Sequence, residues 1–136
     1  MFRVFLDSTV GIKFILSPNS PRRNMFYYYT FVQNNSGGNF LSEKDKFSHF
    51  TIIEAESAEE ATKKAKSLGI YFNGAADGTD CSCCGSRWYE IFEQDRAEKP
   101  EIYGRSIEEH QKNPRQWLNE ENIVIHHMGG RIENIH

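Results

Sequence analysis

The chain has 136 residues, with Lys plus Arg 16 against Asp plus Glu 19 and a formal net charge of -3. That length suits one domain around a single core, and the charge leaves no cationic blanket for a DNA or RNA polymer, so any polynucleotide contact would have to be local. Hydrophobic residues make up 38%, mean hydropathy is -0.64, and the longest apolar runs, such as residues 26–32, fall far short of the roughly 20 residues of a membrane helix, so no membrane partner is expected.

In chain order, the loosely alternating segment 2–6, the turn chemistry of 7–11 and the short apolar run 12–16 predict a β-hairpin. Arg3 and Asp7 interrupt what would otherwise be a secretory leader. Ser17-Pro18-Asn19-Ser20-Pro21 breaks regular structure, and Arg22-Arg23 adds an exposed basic pair. Met25 to Gln33 is dense in aromatic and β-branched residues and predicts a strand with both faces partly covered. A loop at 34–39 and a polar stretch at 42–46 precede a second strand from Phe50 to Ala55.

Ser57-Ala58-Glu59-Glu60 is a capping box and predicts a helix from Ala58 to about Leu68. Ala58, Ala61, Ala65 and Leu68 form a narrow stripe of mostly small side chains facing a sheet. Glu59 with Lys63 and Glu60 with Lys64 are favourable pairs on the wet side, and Gly69 suits a left-handed cap.

Residues 70–89 read I-Y-F-N-G-A-A-D-G-T-D-C-S-C-C-G-S-R-W-Y and hold all three cysteines and three of the ten glycines. The segment is too glycine-rich for a helix, and Gly74, Gly78 and Gly85 give it the freedom to turn sharply. Arg87 to Glu93 alternates as a strand. Ser106-Ile107-Glu108-Glu109 repeats the capping-box pattern and starts a short helix, Asn113-Pro114 begins another turn carrying Trp117 and Leu118, and 123–127, Met128-Gly129-Gly130 and 131–135 form a closing hairpin. The expected architecture is a single α+β domain over residues 1–136, a mostly antiparallel sheet with the main helix on one face and the cysteine-glycine loop at one end.

Cys81-Ser82-Cys83-Cys84-Gly85 contains C-x-x-C-G, the outline of a metal knuckle, in which turn amides hydrogen-bond two thiolates aimed at one ion. A closed zinc site wants four ligands, and no second cysteine pair exists, so His49, His110, His126, His127 or His136 would have to complete it, or Cys83 with a histidine. The blander alternative, in which small buried thiols pack a crowded turn, needs no metal, and neither a metal nor a cofactor is assigned. A thioredoxin-like pair of Cys81 and Cys84 lacks the following helix that would lower a thiol pKa. Three crowded cysteines make no disulfide framework, which places the chain in a reducing cytoplasm.

His126 and His127 point to opposite faces of an alternating strand, one at the edge of the core and one on the surface, and Asp77 and Asp80 serve as turn residues. With no nucleophile elbow, phosphate loop or zinc-protease helix, the chain is not expected to be an enzyme and no catalytic residue is assigned.

What residue types do offer is a small-nucleotide site. Tyr71, Trp88 and Tyr89 can stack on bases, while Arg87, Arg22 and Arg23 can clamp phosphates beside the amides of a glycine turn. The competing reading makes Phe72 and Trp88 core residues and Arg87 a strand-edge charge.

The order helix, G-I-Y-F-N-G, then D-C-S-C-C-G-S-R-W resembles a family of small proteins carried by tailed bacteriophages, in which G-(I/L)-Y-F-(D/N)-G precedes D-C-x-C-C-G-x-R-W. The resemblance covers about Phe50 to Tyr89 and the closing G-R-I-E hairpin, and leaves the first 45 residues without a pattern. It extends to the phage sponge proteins that sequester cyclic dinucleotides and blunt antiphage signalling (anti-CBASS proteins), and so implies a non-enzymatic, oligomeric binder in the host cytoplasm. The expectation is a protein that binds a cyclic dinucleotide such as cyclic GMP-AMP without cleaving it, in a pocket shared across a two-fold interface. The alternatives are a small zinc-knuckle protein that inhibits or redirects a host protein, and a phosphodiesterase of the same signals.

Overall fold

A computed structural model describes residues 25–112 and 123–135. The hairpin expected at 2–16, the basic pair Arg22-Arg23 and the turn carrying Trp117 and Leu118 lie outside the described residues. Within them the elements run β1 (Tyr27–Val32), a 3-10 turn (Ser36–Gly38), β2 (Phe50–Ala55), α1 (Ala58–Ser67), α2 (Gly74–Asp77), a second 3-10 turn (Glu93–Asp95), β3 (Glu101–Ile102), β4 (Arg105–Ser106), α3 (Ile107–Lys112), β5 (Ile123–His126) and β6 (Ile132–Ile135). The main sheet has the order β1-β2-β5-β6, and β3 pairs with β4 in a small second sheet. The pairs β1–β2 and β5–β6 are antiparallel, as adjacent hairpin-type neighbours should be, but β2 and β5 are parallel. The fold is α+β, with a four-stranded, mostly antiparallel sheet and one main helix.

The period-2 alternation of the strands sends side chains to two separate cores. Tyr29, Phe31, Ile53 and Ala55 meet Ala61 and Ala65 of α1, together with Ile70 and Trp88. Phe50, Ile52, Ile123 and Ile125 meet Ile102 and Ile107 on the opposite face. Both faces of β1 and β2 are therefore covered, which explains their nearly continuous apolar composition.

Helix α1 starts where its cap predicts, with the amide of Glu60 donating to the Ser57 hydroxyl at 3.2 Å. The rest of the box differs. The Glu60 carboxylate turns to Lys63 at 3.4 Å, and the next amide of the first turn, that of Ala58, donates to Glu93 Oε1 at 2.9 Å. Glu93 Oε2 also accepts from the Tyr29 hydroxyl at 2.5 Å. The Ala58 amide first, and the Tyr29 hydroxyl second, hold the Glu93 carboxyl below its ordinary range, while burial first and Glu93 second push the Tyr29 phenol up. Gly69 follows the helix with φ 107°, a left-handed ending that a Cβ would oppose. At α3 the box is complete, the Glu109 amide donating to the Ser106 hydroxyl and the Ser106 amide to Glu109 Oε1, both at 3.2 Å.

Two expectations are corrected. Arg87 to Glu93 does not form a strand: it makes one isolated bridge, Trp88 with Gln33 just past the end of β1, and the chain then enters the 3-10 turn at Glu93. The glycine-rich segment does contain helix, the single turn α2.

His49 gives the fold a pH dependence. Its ring stacks on Phe40 at 3.8 Å and on Phe50 at 4.1 Å between centroids, and burial lowers its pKa from 6.5 to about 4. The unfolded chain takes up a proton near pH 6.5 that the folded chain refuses until about 4, so this contribution to stability is whole above pH 6.5 and is lost as pH falls from 6.5 towards 4. Urea midpoints measured from pH 7.5 to 4.5 should fall less steeply for His49→Phe than for the parent chain. Parallel curves would contradict this.

Candidate functional site

The Cys-Gly turn is fastened to the chain just after β1 by the side chains of Asn34 and of Ser36, which opens the first 3-10 turn. The Ser36 hydroxyl accepts from the Cys81 amide at 3.1 Å, and the Asn34 side-chain amide donates to the carbonyls of Cys84 at 2.8 Å and Ser86 at 3.2 Å. The turn closes on itself through the Gly85 amide and the Cys81 carbonyl at 2.9 Å, with Gly85 at φ 94°. Below it, the Asp80 carboxylate is the hub. It accepts from the Tyr71 hydroxyl at 2.7 Å and from the Arg87 amide at 2.8 Å, and its Oδ1 lies 3.8 Å from Arg87 Nε. Gly74 is required here for space alone, because a Cβ would run into the Asp80 carboxylate and the Tyr71 ring.

This hub takes up two of the residues expected to hold a nucleotide, Tyr71 and Arg87, and the core takes a third, Trp88. Arg87 is only 8% exposed, and its guanidinium donates to Gln33 Oε1 at 3.1 Å, the Asn39 carbonyl at 2.9 Å and the Ser36 carbonyl at 2.8 Å. It therefore serves as an internal cross-link and has no face left for a phosphate. Trp88, 3% exposed, is a core residue, its ring meeting Phe47 edge-on at 5.8 Å. Tyr71 is half-buried and spends its hydroxyl on Asp80. Only Tyr89, at 56% exposure, stays available among the candidates within the described residues. It lines a groove of about 650 Å³ with Tyr103, which is 67% exposed. The charged residues of that groove are Glu90, Asp95, Glu101 and Arg96.

The thiols are the converse case. Packing of small buried thiols is not what the turn does: Cys83 and Cys84 are exposed and Cys81 is half-buried. Their sulfurs converge, with Cys81 Sγ 3.0 Å from Cys83 Sγ, Cys83 Sγ 3.9 Å from Cys84 Sγ, and all three within 4.8 Å of one another. Three thiolates on one zinc ion, each at about 2.3 Å in tetrahedral array, stand about 3.8 Å apart. The observed triangle brackets that value, so small side-chain adjustments would bring all three sulfurs onto one ion. The expected pair, Cys81 with Cys84, is thus a trio. The Cys83 thiol first, then the Cys84 backbone amide, the Cys84 thiol and the Cys83 amide, lower the Cys81 pKa to about 7. The same hydrogen bond, seen from Cys83, raises that thiol to about 11. Of the Cys81–Cys83 pair, Cys81 is the thiol more readily ionised, and the thiolate is the form that binds metals.

The histidines do not converge on the turn. His126 is buried, and its Nε2 lies 2.7 Å from the Lys46 carbonyl. His127 is partly buried between the Tyr28 hydroxyl at 2.9 Å from Nδ1 and Glu133 at 3.4 Å from Nε2, so neither histidine of the pair is fully at the surface. His110 Nε2 lies 3.0 Å from the Ile102 carbonyl. Of the two aspartates, Asp80 does cap the turn backbone as expected.

Fold and site together define a small α+β domain that displays a three-thiol turn on its surface. Residues 26–136 match the family described as "Domain of unknown function (DUF7296)", and the chain belongs to that family. Neither a search of curated proteins nor one of solved structures finds a match. Among the described residues no helix is long and apolar enough to cross a membrane.

Proposed function

We propose that this chain is a non-enzymatic binding module whose working part is a metal knuckle. Cys81, Cys83 and Cys84 hold one soft cation such as Zn²⁺, and the loaded turn engages a protein of the host cell. The observation that carries the reading is the convergence of the three sulfurs within 4.8 Å at a surface. Three thiolates more than cancel the charge of a divalent ion, which makes it a weak Lewis acid, suited to holding structure or a partner and poorly suited to activating water. Chain purified under reducing conditions should carry about one zinc per molecule, as structural thiolate sites do, and Cys83→Ser should carry little. A parent chain that is metal-free and takes up neither Zn²⁺ nor Co²⁺ on titration would end this reading.

A second reading, sequestration of a cyclic dinucleotide by a homo-oligomer, is favoured by the exposed tyrosines 89 and 103 along one groove. Its weakness is electrostatic: two phosphates would meet Glu90, Asp95 and Glu101 against the one cation Arg96. A thermal-shift panel that includes cyclic GMP-AMP decides it. A true ligand at a hundred times its dissociation constant adds about 2.7 kcal/mol, and heating the complex should return it intact. A flat panel would remove this reading, and a cleaved product would replace it with an enzymatic one.

A further inference from the structure

Three sulfurs leave a tetrahedral ion one ligand short, and the described part of the subunit has no donor placed to supply it. Among the described residues, the only group of metal-ligating side chains is the cysteine trio itself. His110 and His126 are directed at backbone carbonyls, His127 lies between Tyr28 and Glu133, and the His49 ring is stacked between two phenylalanines. Asp80 is committed to Tyr71 and Arg87. Cys83 and Cys84 are exposed, so the fourth corner of a tetrahedron built on the three sulfurs would face outward.

Building on the metal-knuckle reading, we infer that the fourth ligand comes from outside the subunit and is a neutral imidazole, a histidine side chain of the partner protein. Charge selects it. Three thiolates on a divalent ion carry a net charge of about -1, a fourth thiolate would make that about -2, and imidazole adds nothing. The chain already carries -3, so a second negative charge at its surface is the less favourable completion. An imidazole donor also completes a Cys₃His set, one of the donor sets found in structural zinc sites. Recognition then becomes a coordination bond that a partner lacking the histidine cannot make.

The test uses the full chain loaded with Co²⁺, whose visible spectrum reports the donor set, and the variant His136→Ala. His136 is the one histidine outside the described residues. Titrating imidazole into either protein should give a saturable shift of the visible bands, absent in Cys83→Ser, while 2-mercaptoethanol at the same concentration gives none. A parent chain unresponsive to imidazole that becomes responsive in His136→Ala would place the fourth ligand within the chain and overturn the inference. Response to 2-mercaptoethanol alone would overturn the choice of imidazole, and response to neither would mean the corner is closed. Failure of the parent chain to bind Co²⁺ at all is a different result, since it overturns the knuckle itself.

Discussion

Arg87→Ala will lower the unfolding free energy by about 3–5 kcal/mol, the loss that follows removal of one partner from a buried ion pair. The substitution removes the cation beside the Asp80 carboxylate, whose side chain is 2% exposed and keeps only its neutral donors, the Tyr71 hydroxyl and the residue-87 amide; it also takes a donor from the carbonyls of Ser36 and Asn39 and from Gln33 Oε1, which retains the Leu41 amide. Each unsatisfied buried acceptor adds to the loss. Arg87→Lys should recover only part of it, because a single ammonium cannot span three acceptors held by a planar fork. Urea unfolding monitored by tryptophan fluorescence measures both. A loss below about 1 kcal/mol, typical of an exposed pair, would show that the cross-link contributes little to the fold.

Trp88→Ala should cost a similar amount, about 3–5 kcal/mol, as large aromatic truncations in cores do. Its ring packs in the α1-side core with Tyr29, Phe31 and Ile70 around it and Phe47 against its face or edge. Trp88→Phe keeps the aromatic contact and should lose much less. If alanine were tolerated and instead weakened binding of an added ligand, Trp88 would be a platform and its burial incidental. Both substitutions also set a trap. Either one would weaken binding at the turn by destabilising the fold that holds it, so loss of function in Arg87 or Trp88 variants says nothing about direct contact unless stability is measured alongside.

The metal test avoids that trap, because Cys83 is exposed and its serine variant removes a ligand without opening the core. The two readings of function also make separable demands. The knuckle needs the thiols and is indifferent to Tyr89 and Tyr103, whereas a groove for planar rings needs those tyrosines and is indifferent to Cys83.

Much of the architecture was written in local pattern. The strand at Phe50–Ala55, the helix from Ala58, the short helix after Ser106 and the closing hairpin all follow from periodicity, caps and a glycine turn within a few residues of each other. Such signals act over one or two turns of chain, so a linear reading captures them. The α+β class followed, and so did the small-residue stripe of Ala61 and Ala65 that seats α1 on the sheet.

What tertiary structure alone decided is what lies between distant segments. The parallel pairing of β2 with β5 joins residues about 73 apart in the chain (Phe50 with Ile123), a contact that no local pattern encodes. The acceptors that draw Arg87 inward lie 48 to 54 residues upstream, so an arginine in a polar, glycine-rich context looked free when it was already bound. Composition showed that three thiols were neighbours in sequence. Only the turn pinned by Ser36 and Asn34 decided that they face one point, since side-chain direction there depends on dihedral angles fixed by those remote hydrogen bonds.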